Sequence, residues 1–287
     1  MRDYKIDVQF NNDESIDKDA YLWRYVDLHK FLSFIFTKSL HLTRLDKFED
    51  KKEGITLSHL FFQNIKKKLD NHPMFDSIRE IMSVDTLGNE MNQIDDELKI
   101  IQEFNFANCW VLGGNESESV AMWNLYSSPN SLAIKIKFSE FKKLISEKGV
   151  GNHDTDLQIM CGPVRYIDFQ KSDLNPVKVK EELSDSVFVK DVSFEHEREY
   201  RIIAKEKVRE KPEIKYKPNM NKKNIERLHN ERWNYTGIEL ELLDFKEYNF
   251  EIVHHPKSQD WAKKNIESIM QLSNIGFKVS ESKLELK

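Results

Sequence analysis

The chain has 287 residues and 34.1 kDa, 39% apolar and 32% charged, with 18 Phe, 9 Tyr and 5 Trp. That is enough aromatic content to exclude a disordered chain and enough length to bury a real core. The 44 basic and 49 acidic residues leave a net charge of −5, which excludes a uniformly basic nucleic-acid coat; a phosphate-bearing partner has to be met by a local patch. Two cysteines, Cys109 and Cys161, exclude a disulfide framework and a four-cysteine zinc site. No apolar run approaches the roughly 20 residues of a spanning helix, and the first residues, MRDYKIDVQFNND, carry no signal-peptide h-region. The expectation is a cytoplasmic protein with no membrane partner.

Residues 1–19 are polar and read as a loose lead-in. Tyr21 to Asp27 is aromatic and β-branched, the composition of a strand. From Leu28 to Ser39 the apolar positions 28, 31, 32, 35 and 36 form a helical stripe. Leu40 to Leu45 alternates as a second strand, and DKFEDKKEG follows as a loop. About 56–104 reads as a helical insertion, with Leu57, Leu60, Phe61 and Ile65 on one face and Pro73 and Gly88 dividing it.

Phe106 to Leu112 reads as a strand, SVAMWNLY as a short helix, and Ser131 to Phe138 as a half-buried strand of period two. A short helix over Phe141 to Ile145 and a strand around Val164 to Ile167 follow, then helix and strand over Glu181 to Val192. Glu197 to Glu206 starts as an alternating strand, and 207–224 is basic and Pro-containing, a mobile loop. IELELLDF and FEIVHH are late strands. A helix follows Pro256, with Ser258 as its cap, Asp260 in its first turn and Gly276 just past its end, and FKVSESKLEL closes as a strand. Segregated helices and pairing strands predict an α+β fold in a single domain, with a β-rich core from 20–55 and 105–285.

The sharpest chemical signal is FEHEREYR, Phe194 to Arg201. On a strand Glu197, Glu199 and Arg201 line one face. Two carboxylates there repel unless a cation joins them, which Arg201 supplies. A catalytic carboxylate with a supporting one competes with a plain solvated face. In LWRYVD, Arg24 offers a fork for phosphate or carboxylate while Trp23 and Tyr25 offer rings, against the alternative of core aromatics around a surface arginine. In LTRLDKFEDKKEG, Thr43 can contact a ligand and Phe48 can pack over it; Asp50 and Glu53 read most simply as solvated. In Cys109 to Ser127, Glu116 to Ser119 offer polar contacts, Met122 and Trp123 read as core, and Tyr126 as more open. Neither a P-loop nor a GxGxxG is present.

Taken in order, L-W-R-Y, L-x-L-T-x-L-x-x-F-x-D, C-W with E-S-x-x-M-W-x-x-Y, E-x-E-x-R and a closing S-x-L resemble a widespread uncharacterised bacterial domain family, over most of residues 20–285. The chain departs from it in lacking the Asn and Pro of an F-N-D-P-F-E loop and the Gly of a G-V-x-I-x-F strand. That family is in turn distantly similar to the ADP-ribosyltransferase superfamily. The resemblance implies a split mixed β-sheet and NAD as substrate. It makes Glu199 the catalytic carboxylate with Glu197 orienting the acceptor, and it gives Arg24, Tyr25, Thr43, Phe48, Tyr126 and Arg201 to cofactor binding. It further implies a toxin or anti-phage-defence effector that modifies RNA or protein and is restrained by an antitoxin or chaperone partner. The 207–224 loop is a candidate contact to a nucleic-acid backbone. The alternatives are a metal-dependent nuclease using Asp50, Glu53, Glu197 and Glu199, and a non-enzymatic interaction module.

Overall fold

The computed structural model describes residues 7–57, 59–61, 63–64, 67, 95–114, 117–147, 157–170, 186–206, 236–242 and 245–285. The expected basic loop at 207–224 and the middle of the expected helical insertion lie outside them. The chain divides into two compact units: one from 1–43, 107–163 and 196–287, the other from 44–106 and 164–195.

The first unit is built on a mixed sheet. Its strands are β1 (Asp7–Phe10), β2 (Tyr21–Val26), β3 (Ser39–Arg44), β4 (Asn105–Gly113), β5 (Leu132–Lys137), β6 (Leu157–Pro163), β9 (Glu199–Glu206), β10 (Gly237–Glu241), β11 (Glu251–His254) and β12 (Lys278–Ser280). The order β1-β6-β9-β4-β2-β5-β11-β12 is a continuous path, while β3 joins β4 and carries β10 on its far side. Three strands therefore bond to β4, and because a strand has two edges, two of them share one edge and the sheet forks there. Pairing of β2 with β4 ends at Trp23 opposite Val111, whereas β2 follows β5 on to Val26 opposite Leu132.

Local chemistry explains most helix ends. α1 (Leu28–Thr37) is capped by Asp27, which accepts from Lys30 N at 2.8 Å. α2 (Val120–Tyr126) is capped by Ser119, which accepts from Met122 N at 3.3 Å. α3 (Phe138–Glu147) follows β5 directly. α4 (Asp260–Ser273) differs from expectation at both ends: Gln259, not Ser258, is its N-cap, and Asn274, not Gly276, takes the left-handed position with φ 52°. Ser258 is occupied in a turn, its N–H donating to the His255 carbonyl.

Two aromatic layers cover the sheet. On one face Trp110 meets Phe141 of α3 at 5.4 Å between ring centres, and Tyr200 meets Phe138 and Phe141 at 5.3 and 5.9 Å. On the other face Trp23, Trp123, Ala133 and Val253 form a cluster, with Trp123 of α2 wholly buried. Phe34 of α1 packs with Phe245 and Phe250, and Phe277 closes on both.

The second unit holds a two-stranded parallel sheet, β7 (Arg165–Ile167) with β8 (Val189–Asp191), and helical residues at 57–67, where described, and 95–104. Ile55, Leu57, Leu60, Phe169 and Val189 are its core. The expected solvation of Glu53 is overturned: it is 1% exposed and pairs with Lys190 Nζ at 3.5 Å, whose ammonium lies 4.4 Å from the Phe194 ring.

Two strands escaped expectation. The lead-in contains β1, paired in parallel with β6. β6 is buried at Ile159, Met160 and Cys161 in succession, so it shows no period-two signal. A third difference falls in the chemical motif. Val192–Glu197 is a 3-10 helix, Arg198 has φ 42°, and β9 begins only at Glu199. Glu197 is therefore not on the strand face of Glu199.

Glu251 makes the acid stability of this sheet testable. Burial raises its pKa, but hydrogen bonds from Lys278, Ser280 and Lys135 outweigh burial and lower it from 4.5 to about 2. A carboxylate depressed in the folded state stabilises fully above its unfolded pKa, and that stabilisation is lost as pH falls from about 4.5 towards 2. Glu251→Gln is expected to lower the urea midpoint at pH 7 and to flatten the loss of stability between those pH values. Parallel wild-type and variant slopes in that window contradict the assignment.

Candidate active site

β9 starts with a buried ion pair. Arg201 Nε donates to Glu199 Oε2 at 2.7 Å, with Arg201 at 0% and Glu199 at 8% exposure. Tyr200 between them points to the α3 face, where its hydroxyl donates to Asp13 Oδ2 at 3.1 Å. Alternation then places Glu199 and Arg201 on the opposite face. Trp110, on the α3 face, has the parity of Leu112, which pairs with Leu22. Trp23 and Tyr25 consequently share the face of Glu199.

Glu197 reaches the same neighbourhood by another route. The left-handed turn at Arg198 is a conformation that costs a non-glycine residue on the order of 1–3 kcal/mol. The turn is held by Leu112 N–H, which donates to the Arg198 carbonyl at 2.8 Å. The Glu197 side chain is 4% exposed and accepts from the hydroxyl of Tyr126, itself 53% exposed on α2. Two buried carboxylates thus flank an exposed arginine, each with a dedicated donor.

Tyr25 accepts from Ser119 N–H at 3.0 Å and meets Trp123 edge-on at 4.8 Å. Burial pushes its phenol up to about 12; the Glu118 charge pushes the same way, and the Ser119 bond and the Arg198 charge oppose both. Glu118 ties this corner to the chain end: it accepts from Trp123 Nε1 at 2.9 Å, Ser282 Oγ at 2.6 Å and Lys283 N at 2.6 Å. The expected core role of Met122 and Trp123 agrees with their burial, 1% and 0%.

Arg24 stands one residue beyond the point where β2 leaves β4. It is half-buried, and among the described residues its guanidinium makes no hydrogen bond. Burial lowers its pKa to about 10, against the charges of Cys109 on β4, Glu239 on β10 and Asp27, so it remains a cation at neutral pH. Thr43 is half-buried on β3 opposite Gly237, on the strand face of His41, whose Nδ1 lies 2.7 Å from Glu239 Oε1. Gly237 is required by that contact, since a Cβ there falls 2.5 Å from His41 Nε2.

The structure therefore groups Tyr25, Tyr126 and Glu197 around Arg198, pairs Glu199 with Arg201, and sets Arg24 at the fork with Cys109 and Glu239. Phe48, Asp50 and Glu53 belong to the second unit, where Phe48 is half-buried behind the turn Leu45–Lys47. Glu116 lies outside the described residues. Among the described residues no group of three or more His, Cys, Asp or Glu side chains is placed to hold a metal ion, and no helix is long and apolar enough to cross a membrane. Glu118 and Ser119, expected to offer polar contacts, make them, whereas sequence reasoning missed the turn at Arg198. Ser119 carried a usable signal, a capping serine immediately before VAMW.

Comparison with protein-family models, with curated proteins and with solved structures finds no match to this chain.

Removing one member of a buried ion pair strands the other. Arg201→Met is expected to cost about 3–5 kcal/mol in urea unfolding, and the double change Arg201→Met with Glu199→Gln to recover most of it. Equal losses in the single and double variants contradict the pairing.

Proposed function

We propose that the protein is an NAD-dependent ADP-ribosyltransferase acting through the carboxylates at the start of β9. The observation that carries this is the pair Glu197 and Glu199, both buried, individually held by Tyr126 and Arg201, and bordered by Tyr25 and the exposed Arg198. A carboxylate kept in place by a cation is a fixed negative charge. Such a charge stabilises the oxocarbenium character that develops at ribose C1′ as the bond to nicotinamide breaks and its electron pair returns to the ring nitrogen. The acceptor nucleophile then forms the new bond to C1′. Glu199 takes the stabilising role and Glu197, bonded to the hydroxyl of the exposed Tyr126, orients the acceptor. Tyr25 and Tyr126 supply rings beside the nicotinamide, whereas Arg24, expected as a cofactor contact, alternates with Tyr25 along β2 and so lies on the opposite sheet face from Glu199. Thr43 is a further expected contact of the cofactor. The fork of the sheet at β4 supports the split architecture that such an enzyme needs.

The acceptor is an RNA or a protein, in the setting of a toxin or anti-phage effector, with a neutralising partner protein in the same cell. The metal-dependent nuclease alternative draws no ligand set from the described residues.

Incubation with NAD labelled in its adenylate half, together with cellular RNA or lysate, is expected to transfer label or release nicotinamide. Glu199→Gln is expected to cut the rate at least 100-fold and Glu197→Gln to cut transfer more than hydrolysis. Absence of both transfer and hydrolysis, or a Glu199→Gln variant as active as wild type, overturns the proposal.

A further inference from the structure

On the face of β2, β5, β11 and β12 that carries Tyr21, a cavity of about 410 Å³ opens, within the roughly 300–1,000 Å³ of small-molecule pockets. None of its lining residues belongs to the group around Glu197 and Glu199. Four ammonium groups, those of Lys135, Lys137, Lys246 and Lys278, meet two carboxylates, Glu140 and Glu251.

The carboxylates do not neutralise this wall. Glu251 is shared, accepting from Lys135 at 3.1 Å and pairing with Lys278 at 2.9 Å. Glu140 is turned to Asn249, from which it accepts at N (3.0 Å) and Nδ2 (2.7 Å). Lys246 donates to a neutral group, the Asn274 carbonyl, at 3.0 Å. Lys137 reaches Asp19 at 3.1 Å, a side chain 78% exposed and held weakly in water. Lys135 is only 5% exposed, its ammonium 4.3 Å from the Tyr21 ring centre and 5.2 Å from that of Trp23. A lysine buried to this degree is costly unless its charge is used or matched.

With Asp19 counted beside Lys137, four positive groups meet three negative ones and leave an excess of one, which a phosphate monoester can satisfy. The rest of the lining is Asn249, Gly276 and four aromatic residues, of which Tyr21 is half-buried while Tyr248, Phe250 and Phe277 are buried in the core. The half-buried Tyr21 ring beside the cationic patch suits a nucleobase attached to that phosphate. We propose that this pocket binds a nucleoside monophosphate, at a site separate from the carboxylates of β9.

The test is calorimetric titration of the full-length protein with AMP, adenosine and inorganic phosphate. AMP is expected to bind at least 10-fold more tightly than either fragment, and to weaken as salt is raised. Lys246→Ala with Lys278→Ala, both surface changes, is expected to lower AMP affinity at least 10-fold while leaving any turnover of NAD intact. Glu199→Gln is expected to leave AMP affinity unchanged, so loss of the enzymatic function and loss of this site are read separately. The proposal is overturned if AMP does not bind at millimolar concentration or if phosphate alone binds as tightly as AMP. AMP binding that survives the double lysine change but is lost in Glu199→Gln overturns it equally.

Discussion

The buried Arg201–Glu199 pair is the constraint around which the first unit is organised. Arg201 is wholly out of solvent on β9, between β6 and β4. A guanidinium there costs several kcal/mol of lost hydration unless an ion answers it. Glu199, two residues away and on the same strand face, is that ion. Its position in turn requires β9 to begin at 199, so the chain before it has to turn sharply. The left-handed Arg198 is that turn, and it swings Glu197 off the strand to meet Tyr126.

The corner is reinforced from distant parts of the chain. Ser119 caps α2 and donates its own N–H to Tyr25. Glu118 beside it gathers Trp123 and the segment at 282–283. The loop before α2, strand β2 and the end of the chain thereby hold the tyrosines that border the two carboxylates. Preorganisation of this kind is what a site stabilising a developing charge requires.

Charge is distributed on the same sheet in two different ways. At β9 one arginine answers one carboxylate inside the protein. At the β5–β11–β12 end, lysines outnumber carboxylates around an open cavity. The first arrangement is closed and fixes geometry, and the second leaves an excess that a ligand can satisfy. A net charge of −5 conceals both, because it sums over a surface whose local patches differ in sign.

Sequence alone determined the elements whose signal is local. The aromatic run of β2 and the stripe of α1 were legible because propensity and periodicity act over neighbouring residues; β5 was legible as a strand but, expected half-buried, is buried from Leu132 to Ile136. The core reading of Met122 and Trp123 followed from the same helical spacing. Tertiary structure decided the rest. β6 is buried on both faces and so has no alternation, β1 is only four residues long and is fixed by its pairing with β6, and Glu53 is buried because Lys190, over a hundred residues on, answers its charge. It also decided that Glu197 leaves the strand, since the 3-10 helix Val192–Glu197 and the left-handed Arg198 precede β9. Strand pairing and ion pairing join residues far apart in the chain, and no local pattern encodes which distant partner arrives.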